Sequence, residues 1–99
     1  MALLYIDEYY AAVIGGIQAP VCPPIVVQTP INFGDGAAHQ SAPFSNDTKL
    51  IEVSVDAICS VLVGGKNPVA TTNNMRWPAG KTCFFIVRPG DALSVIVNV

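Results

Sequence analysis

Charge is what this chain has least of. Only 12% of its 99 residues are Asp, Glu, Lys or Arg, about half the share usual in a soluble domain. Five basic residues against seven acidic ones leave a formal net charge of −2. That balance excludes a strongly basic nucleic-acid binder and a polybasic membrane-surface binder. Long hydrophobic runs are missing too. The longest, residues 9–17, includes two glycines and falls far short of the ~18–20 residues that cross a bilayer. A secretory signal needs a positive segment before its apolar stretch, and Asp7 and Glu8 stand there instead. The expectation is a protein that stays in the cytoplasm where it is made. Cysteine is sparse and odd in number: Cys22, Cys59 and Cys83 fit neither a disulfide framework nor a C-x-x-C zinc pattern. Cys59 and Cys83 lie in apolar strand-like runs, which predicts buried, reduced thiols. Cys22, before Pro23-Pro24, reads as the more exposed one.

Apolar material, by contrast, is plentiful. Hydrophobic residues make up 52% of the chain, so it is no charge-rich disordered tail, and its length supports one core and one domain. In residues 49–56, Ile51, Val53 and Val55 share one strand face while Glu52, Ser54 and Asp56 share the other. Such period-two alternation marks a half-buried strand. Residues 57–63, 82–88 and 92–97 are further β-runs. Between them lie Gly64-Gly65-Lys66-Asn67-Pro68, the Asn/Thr-rich stretch 71–74, Pro78-Ala79-Gly80 and Arg88-Pro89-Gly90-Asp91. The last has Pro and Gly at the two central positions, as a type II turn requires. Short strands spaced by turn signals predict an all-β sandwich or small barrel.

The first half is less regular. Residues 3–6 suit a strand opening, whereas residues 7–12 suit a helical turn equally well. From Tyr9 to Gly34 no residue is charged and Pro20, Pro23, Pro24 and Pro30 interrupt the chain. Proline fixes φ and lacks the ladder donor, which predicts extended pieces at sheet edges, Ile25-Val26-Val27 among them. Such an arm either lies against a neighbouring subunit or wraps its own domain. Residues 38–44 read as a loop or weak edge strand. The expected organisation is a single β domain over 1–99, with an N-terminal arm and edge segments in 1–48 and an antiparallel core in 49–99.

The residues offer no complete catalytic constellation. His39 is the only histidine, with no G-x-S-x-G or H-x-x-x-H context for nucleophilic or metal chemistry. Glu52 and Asp56 share a strand face but stand about 13 Å apart, too far for the usual glycosidase pair. Neither Gly34/Gly36 nor Gly64-Gly65-Lys66 continues into the Lys-Ser/Thr helix start of a phosphate loop. No catalytic residue, metal ligand or cofactor site is expected. Met75-Arg76-Trp77 and Phe84-Phe85 suggest a stacking platform for single-stranded nucleic acid or sugar. The net charge and the lack of a basic cluster count against nucleic acid, and the tryptophan suits a core or subunit-interface anchor better. Charge is also unevenly placed: residues 1–56 carry a net −5 and residues 57–99 a net +3. If the two halves present opposite surfaces, contacts between subunits are favoured and oriented; otherwise the charges intermix on folding.

The segment from Leu50 to Val97, with Asp56-Ala57-Ile58-Cys59-Ser60, Asn67-Pro68-Val69-Ala70-Thr71, Met75-Arg76-Trp77-Pro78-Ala79-Gly80 and Arg88-Pro89-Gly90-Asp91, resembles small β-rich virion structural proteins of tailed bacteriophages and prophages, including capsid decoration (cement) proteins. The resemblance covers about half the chain and lies in turns and strand patterns. It implies a jelly-roll-like antiparallel β-sandwich that forms a dimer or trimer, sits on the capsid surface of the virion and clamps neighbouring copies of the major capsid protein, with no enzymatic activity. Tyr5, Tyr9, Tyr10, Arg76 and Trp77 are the expected contact residues. Replacing Tyr9 and Tyr10 by Ala is expected to weaken particle binding and spare the fold. The alternative is a tail or fibre module binding host glycan through Trp77 and residues 71–74.

Overall fold

In a computed structural model, residues 2–10 and 24–98 are described, and they contain nine strands and no helix. The expectation of an all-β antiparallel sandwich is met. The first sheet takes β1 (Leu3–Tyr9), β2 (Val26–Val27), β3 (Ile31–Asn32), β5 (Leu50–Val55) and β8 (Thr82–Ile86) in the order β2-β1-β5-β8. The strand β3 shares with β2 the far edge of β1: β2 pairs with Asp7 and Glu8, β3 with Leu3 and Leu4. Pro30, between them, breaks that edge in two, because proline cannot donate to a ladder. The second sheet takes β4 (His39–Gln40), β6 (Cys59–Val63), β7 (Met75–Trp77) and β9 (Leu93–Val97) in the order β4-β9-β6-β7.

The core between the sheets follows from alternation. On β5, Ile51, Val53 and Val55 are buried as the pattern predicts, and Leu4 and Ile6 of β1 meet Val55 and Val53 across the ladder. From the second sheet Cys59, Val61, Trp77, Leu93 and Val95 close the core, with Phe33 and Phe44 filling its ends. The ring of Trp77 stacks on Phe85 of β8, centroids 5.9 Å apart, and so joins the edges of the two sheets. The short link between β7 and β8 turns on Gly80 (φ 85°), and the link between β8 and β9 on Gly90 (φ 81°). The second has the Asp91 N–H to Arg88 carbonyl bond at 3.1 Å, which with the positive φ gives the expected type II turn.

The described part of the N-terminal half differs from an arm. Leu3–Tyr9 is a strand, not a helical turn, and it sits inside the first sheet between β5 and the β2/β3 edge. Residues 26–27 and 31–32 pair with this same strand, so that portion wraps its own domain. The rest of the proline-rich stretch, with Cys22, lies outside the described residues. Cys59 is a buried free thiol, and burial pushes its pKa up to about 11. Cys83 is free but half-buried, more accessible than its apolar run suggests.

The two sheets are finished differently on their outer faces. Over the second sheet runs the loop 64–74, with Pro68 and Ala70 buried beneath it. Ala70 N–H donates to Ser94 Oγ at 2.9 Å, Gln40 Nε2 to the Pro68 carbonyl at 2.9 Å, and Asn98 Nδ2 to both Ser60 Oγ and the Thr72 carbonyl. Ser60 and Ser94 are fully buried on that face, and these bonds satisfy hydroxyls that would otherwise be costly to bury.

Candidate interaction face

The first sheet presents a different outer surface. Strand alternation turns Tyr5, Asp7 and Tyr9 of β1 outward, and the ladder sets them beside Ser54, Glu52 and Leu50 of β5. Those in turn stand beside Thr82, Phe84 and Ile86 of β8. On the other side Val27 of β2 pairs with Asp7. On this face Tyr9 and Leu50 are buried, but other large apolar groups lie in solvent: Tyr5 is 42% exposed, Val27 69%, Phe84 50% and Ile86 70%. Ile25, one alternation from Val27, and Tyr10, just past β1, are exposed beside it. The register sets these groups in two apolar patches, Tyr5 with Val27 on one side and Phe84 with Ile86 on the other, divided by Asp7, Glu52 and Ser54. Exposed apolar patches on a small protein are candidate interaction sites.

Two acids lie within this apolar face. Asp7 and Glu52 are directly opposed across the β1/β5 ladder, though far apart in sequence. The hydroxyl of Tyr9 donates to Glu52 Oε1 at 3.0 Å. Partial burial, and then the charge of Glu52, raise the pKa of Asp7 above its ordinary 3.8. A carboxyl whose pKa rises on folding contributes stability that is full below the unfolded value and is lost as pH climbs through the folded one. Asp7→Asn is therefore expected to raise the melting temperature at neutral pH. The gain should vanish below about pH 3, where both forms are neutral. Melting curves at the two pH values check this; equal shifts at both would mean the effect is not electrostatic.

Chemically, the face offers apolar contact around a pair of acids, which suits a partner surface that is apolar with a basic group. An open depression with a volume of about 510 Å³ lies at the β3 end, lined by Ala2, Asn32, Gly34 and Asp35. Among the described residues no group of three or more His, Cys, Asp or Glu is placed to hold a metal ion. His39 Nε2 lies 2.8 Å from Asp35 Oδ1 across the β3–β4 loop. That bond, helped by the Ala37 N–H, holds the Asp35 carboxyl below its ordinary pKa.

The five contact residues expected from sequence do not come together. Tyr5 is on the open face and Tyr10 is exposed near its margin, but Tyr9 is buried. Tyr9→Ala is thus a packing change rather than a clean surface variant. Arg76 and Trp77 are neighbours on β7 and so point to opposite faces of the second sheet. Arg76 is exposed, beside Ser60, whereas Trp77 is fully buried in the core. A buried ring is no platform for a partner, a base or a sugar, so the glycan alternative loses its aromatic surface. Val27, Ile86 and the Asp7–Glu52 pair belong to the open face, and sequence reasoning does not single them out; Phe84, read from sequence with Phe85 as part of a stacking platform, lies there too. For Phe84 and Ile86 a signal exists, because Thr82–Ile86 is apolar on both its faces and one of those faces has to meet something other than the core.

The two halves of the chain share both sheets, β8 beside β5 and β4 beside β9, so folding does not set the acidic and basic halves on opposite surfaces. The ion pairs among the described residues are His39–Asp35 at 2.8 Å and Arg88–Asp91 at 3.8 Å, each within its own half of the chain. Comparison of the chain with known protein families, with curated proteins and with solved structures finds no match.

Proposed function

We propose that this protein is a non-enzymatic structural component of a tailed-phage virion, a decoration or cement protein that attaches to the capsid surface through the open face of its first sheet. The observation that carries the proposal is the unequal finish of the two sheets. One outer face is covered by its own loop and its buried hydroxyls are satisfied; the other leaves Tyr5, Val27, Phe84 and Ile86 in water. An exposed apolar face on a chain so poor in charge is stabilised by a partner that removes it from water. The resemblance of residues 50–97 to small phage virion proteins supplies the kind of partner, the major capsid protein.

The mechanism is clamping by mass action. A protein that binds the assembled shell, and not free capsid subunits, adds its binding free energy to the cost of pulling neighbouring subunits apart. Asp7 and Glu52 in the middle of the apolar face would select a basic group on the shell and disfavour an acidic one.

The test is occupancy of purified particles by Tyr5→Asp/Val27→Asp, with Arg76→Ala on the other sheet as the control. The double variant is expected to lose at least about tenfold in occupancy at unchanged far-ultraviolet circular dichroism, because two charges enter an apolar interface. Arg76→Ala is expected to bind as the unaltered protein does. Full occupancy by the double variant would exclude the open face as the attachment surface.

A further inference from the structure

The described residues leave four sheet edges, and three of them are blunted. β2 and β3 are two-residue strands divided by Pro30; β4 has two residues; β7 has three and runs straight into Pro78. Short strands and proline are the usual means of keeping an edge from pairing with another chain. β8 has neither. It is five residues long, Thr82-Cys83-Phe84-Phe85-Ile86, with no proline and no charge.

Its backbone direction is also defined. Val87 N–H bonds the Lys49 carbonyl and Val55 N–H bonds the Lys81 carbonyl, each at 3.1 Å. Antiparallel ladders alternate, so residues 81, 83, 85 and 87 turn their backbone groups toward β5. Thr82, Phe84 and Ile86 turn theirs outward, and among the described residues β8 pairs with β5 alone. The side chains of these same three residues are the exposed ones on the strand.

We propose that β8 pairs with β8 of a second copy of this chain, antiparallel across a two-fold axis at Phe84, joining the two first sheets into one. In that register Phe84 opposes Phe84 of the second copy, and Thr82 opposes Ile86 of the second copy. All three outward-facing backbone positions then find partners, since each lies in a hydrogen-bonded pair. The cross-strand pairs are aromatic with aromatic and β-branched with β-branched, the combinations that stabilise sheets. No charge opposes a like charge within the strand. Lys81 falls opposite Val87 of the second copy, and Arg88 carries its own counter-ion, Asp91.

One strand edge hides a few hundred Å² per copy, roughly half or less of the ~800 Å² per partner in a standard stable interface. The pairing is therefore weak in dilute solution and becomes populated where copies are crowded side by side, at effective concentrations on the order of millimolar. This inference rests on the free edge and stands apart from the identity of any capsid partner.

Disulfide trapping on the isolated full-length chain tests it. Across a hydrogen-bonded pair the Cα atoms are ~5.5 Å apart, inside the ~4.4–6.8 Å range of a disulfide. In a Cys83→Ser background, Phe84→Cys is expected to give a covalent dimer on mild oxidation, with the bridge located by peptide mass spectrometry so that a link through Cys22 is distinguished. Thr82→Cys alone should stay monomeric through that position, while an equal mixture of Thr82→Cys and Ile86→Cys chains should give the mixed dimer. Adding Phe84→Lys to both chains of the mixture should abolish it. No bridge in either the Phe84→Cys chain or the mixture would overturn the pairing. So would self-bridging of Thr82→Cys as strong as that of Phe84→Cys, since it would show collisions without register.

Discussion

Trp77→Ala is expected to cost about 3–5 kcal/mol of folding stability, the range for removing a large aromatic ring from a core. For a domain of this size the whole stability is about 5–15 kcal/mol, so the variant would stand near the edge of folding. The reason is position. Trp77 is fully buried, opposes Cys59 across the β6/β7 ladder and stacks on Phe85 of the other sheet. It is thus the side chain that ties the β7 edge of one sheet to the β8 edge of the other. Lys81 Nζ sits 5.9 Å from the same ring, which adds a weak cation–π contact at the turn that links the two strands. The indole N–H, however, is buried without a hydrogen-bond partner, and such a donor costs free energy. Trp77→Phe keeps an aromatic ring and removes the orphan donor, so it is expected to lose much less than Trp77→Ala. Urea unfolding followed by circular dichroism separates the two. Similar losses for Phe and Ala would mean that the stacked ring is not what holds the sheet edges together.

Glu8→Ala is the second large expected effect, about 2–4 kcal/mol. Glu8 is buried near the end of β1, and no cation pairs with it among the described residues. Instead it gathers donors from two separate stretches of chain. Its Oε1 accepts from Ser45 N–H at 2.9 Å and from Thr48 Oγ1 at 2.6 Å, and its Oε2 from Gln28 Nε2 at 2.8 Å. Hydrogen bonds to a carboxylate are the stronger kind, and removing the acceptor leaves the Ser45 N–H without its partner and the buried Thr48 hydroxyl with Ser45 Oγ alone, 2.9 Å away. Glu8→Gln tests the chemistry more finely. Its amide nitrogen would face the Gln28 amide nitrogen, donor against donor. Gln28 cannot simply rotate, because both ends of its amide already bond Ala42: Nε2 donates to the Ala42 carbonyl, and Oε1 accepts from the Ala42 N–H. An intermediate loss is therefore expected for Glu8→Gln. Hydrogen exchange should show protection falling first around residues 25–28 and 45–48, with β6 and β9 following only through the global loss. Uniform loss over both sheets would contradict a local fastening role.

What is legible in the sequence depends on range. The strand at Leu50–Val55 announces itself because Ile51, Val53 and Val55 alternate with polar residues, and the turn at Gly90 because its two central residues leave few other conformations. Both are local signals. Leu3–Tyr9 is ambiguous because it reads Leu-Leu-Tyr-Ile-Asp-Glu-Tyr, with Glu8 on the inward face. A buried acid breaks the alternation, and what satisfies it comes from 20 to 40 positions away. The Asp7–Glu52 pair is invisible for the same reason, since only the β1/β5 register brings the two acids together. Trp77 reads as a contact residue alongside Arg76, although period-two geometry separates the two in any strand; the face it takes depends on the sheet it joins. Nor does composition reveal that Ser60 and Ser94 lie buried beneath the 64–74 loop. Their burial is what makes the second sheet the covered one, while the first keeps Tyr5, Val27, Phe84 and Ile86 in solvent.

Low charge thus has a structural counterpart. The apolar excess is not all absorbed by the core, and most of what is left over lies on the outer face of the first sheet and along β8, with Val69 and Met75 exposed beside the second sheet. Whether that face meets a capsid is decided by cryo-electron microscopy of virions made with the gene intact and with the gene deleted. Density for a two-sheet β domain is expected on the outer shell of the first particle, its Tyr5–Val27–Phe84 face toward the capsid subunits, and that density should be lost from the second. Identical shells in the two particles, or density with the loop-covered sheet against the capsid, would contradict attachment through the open face.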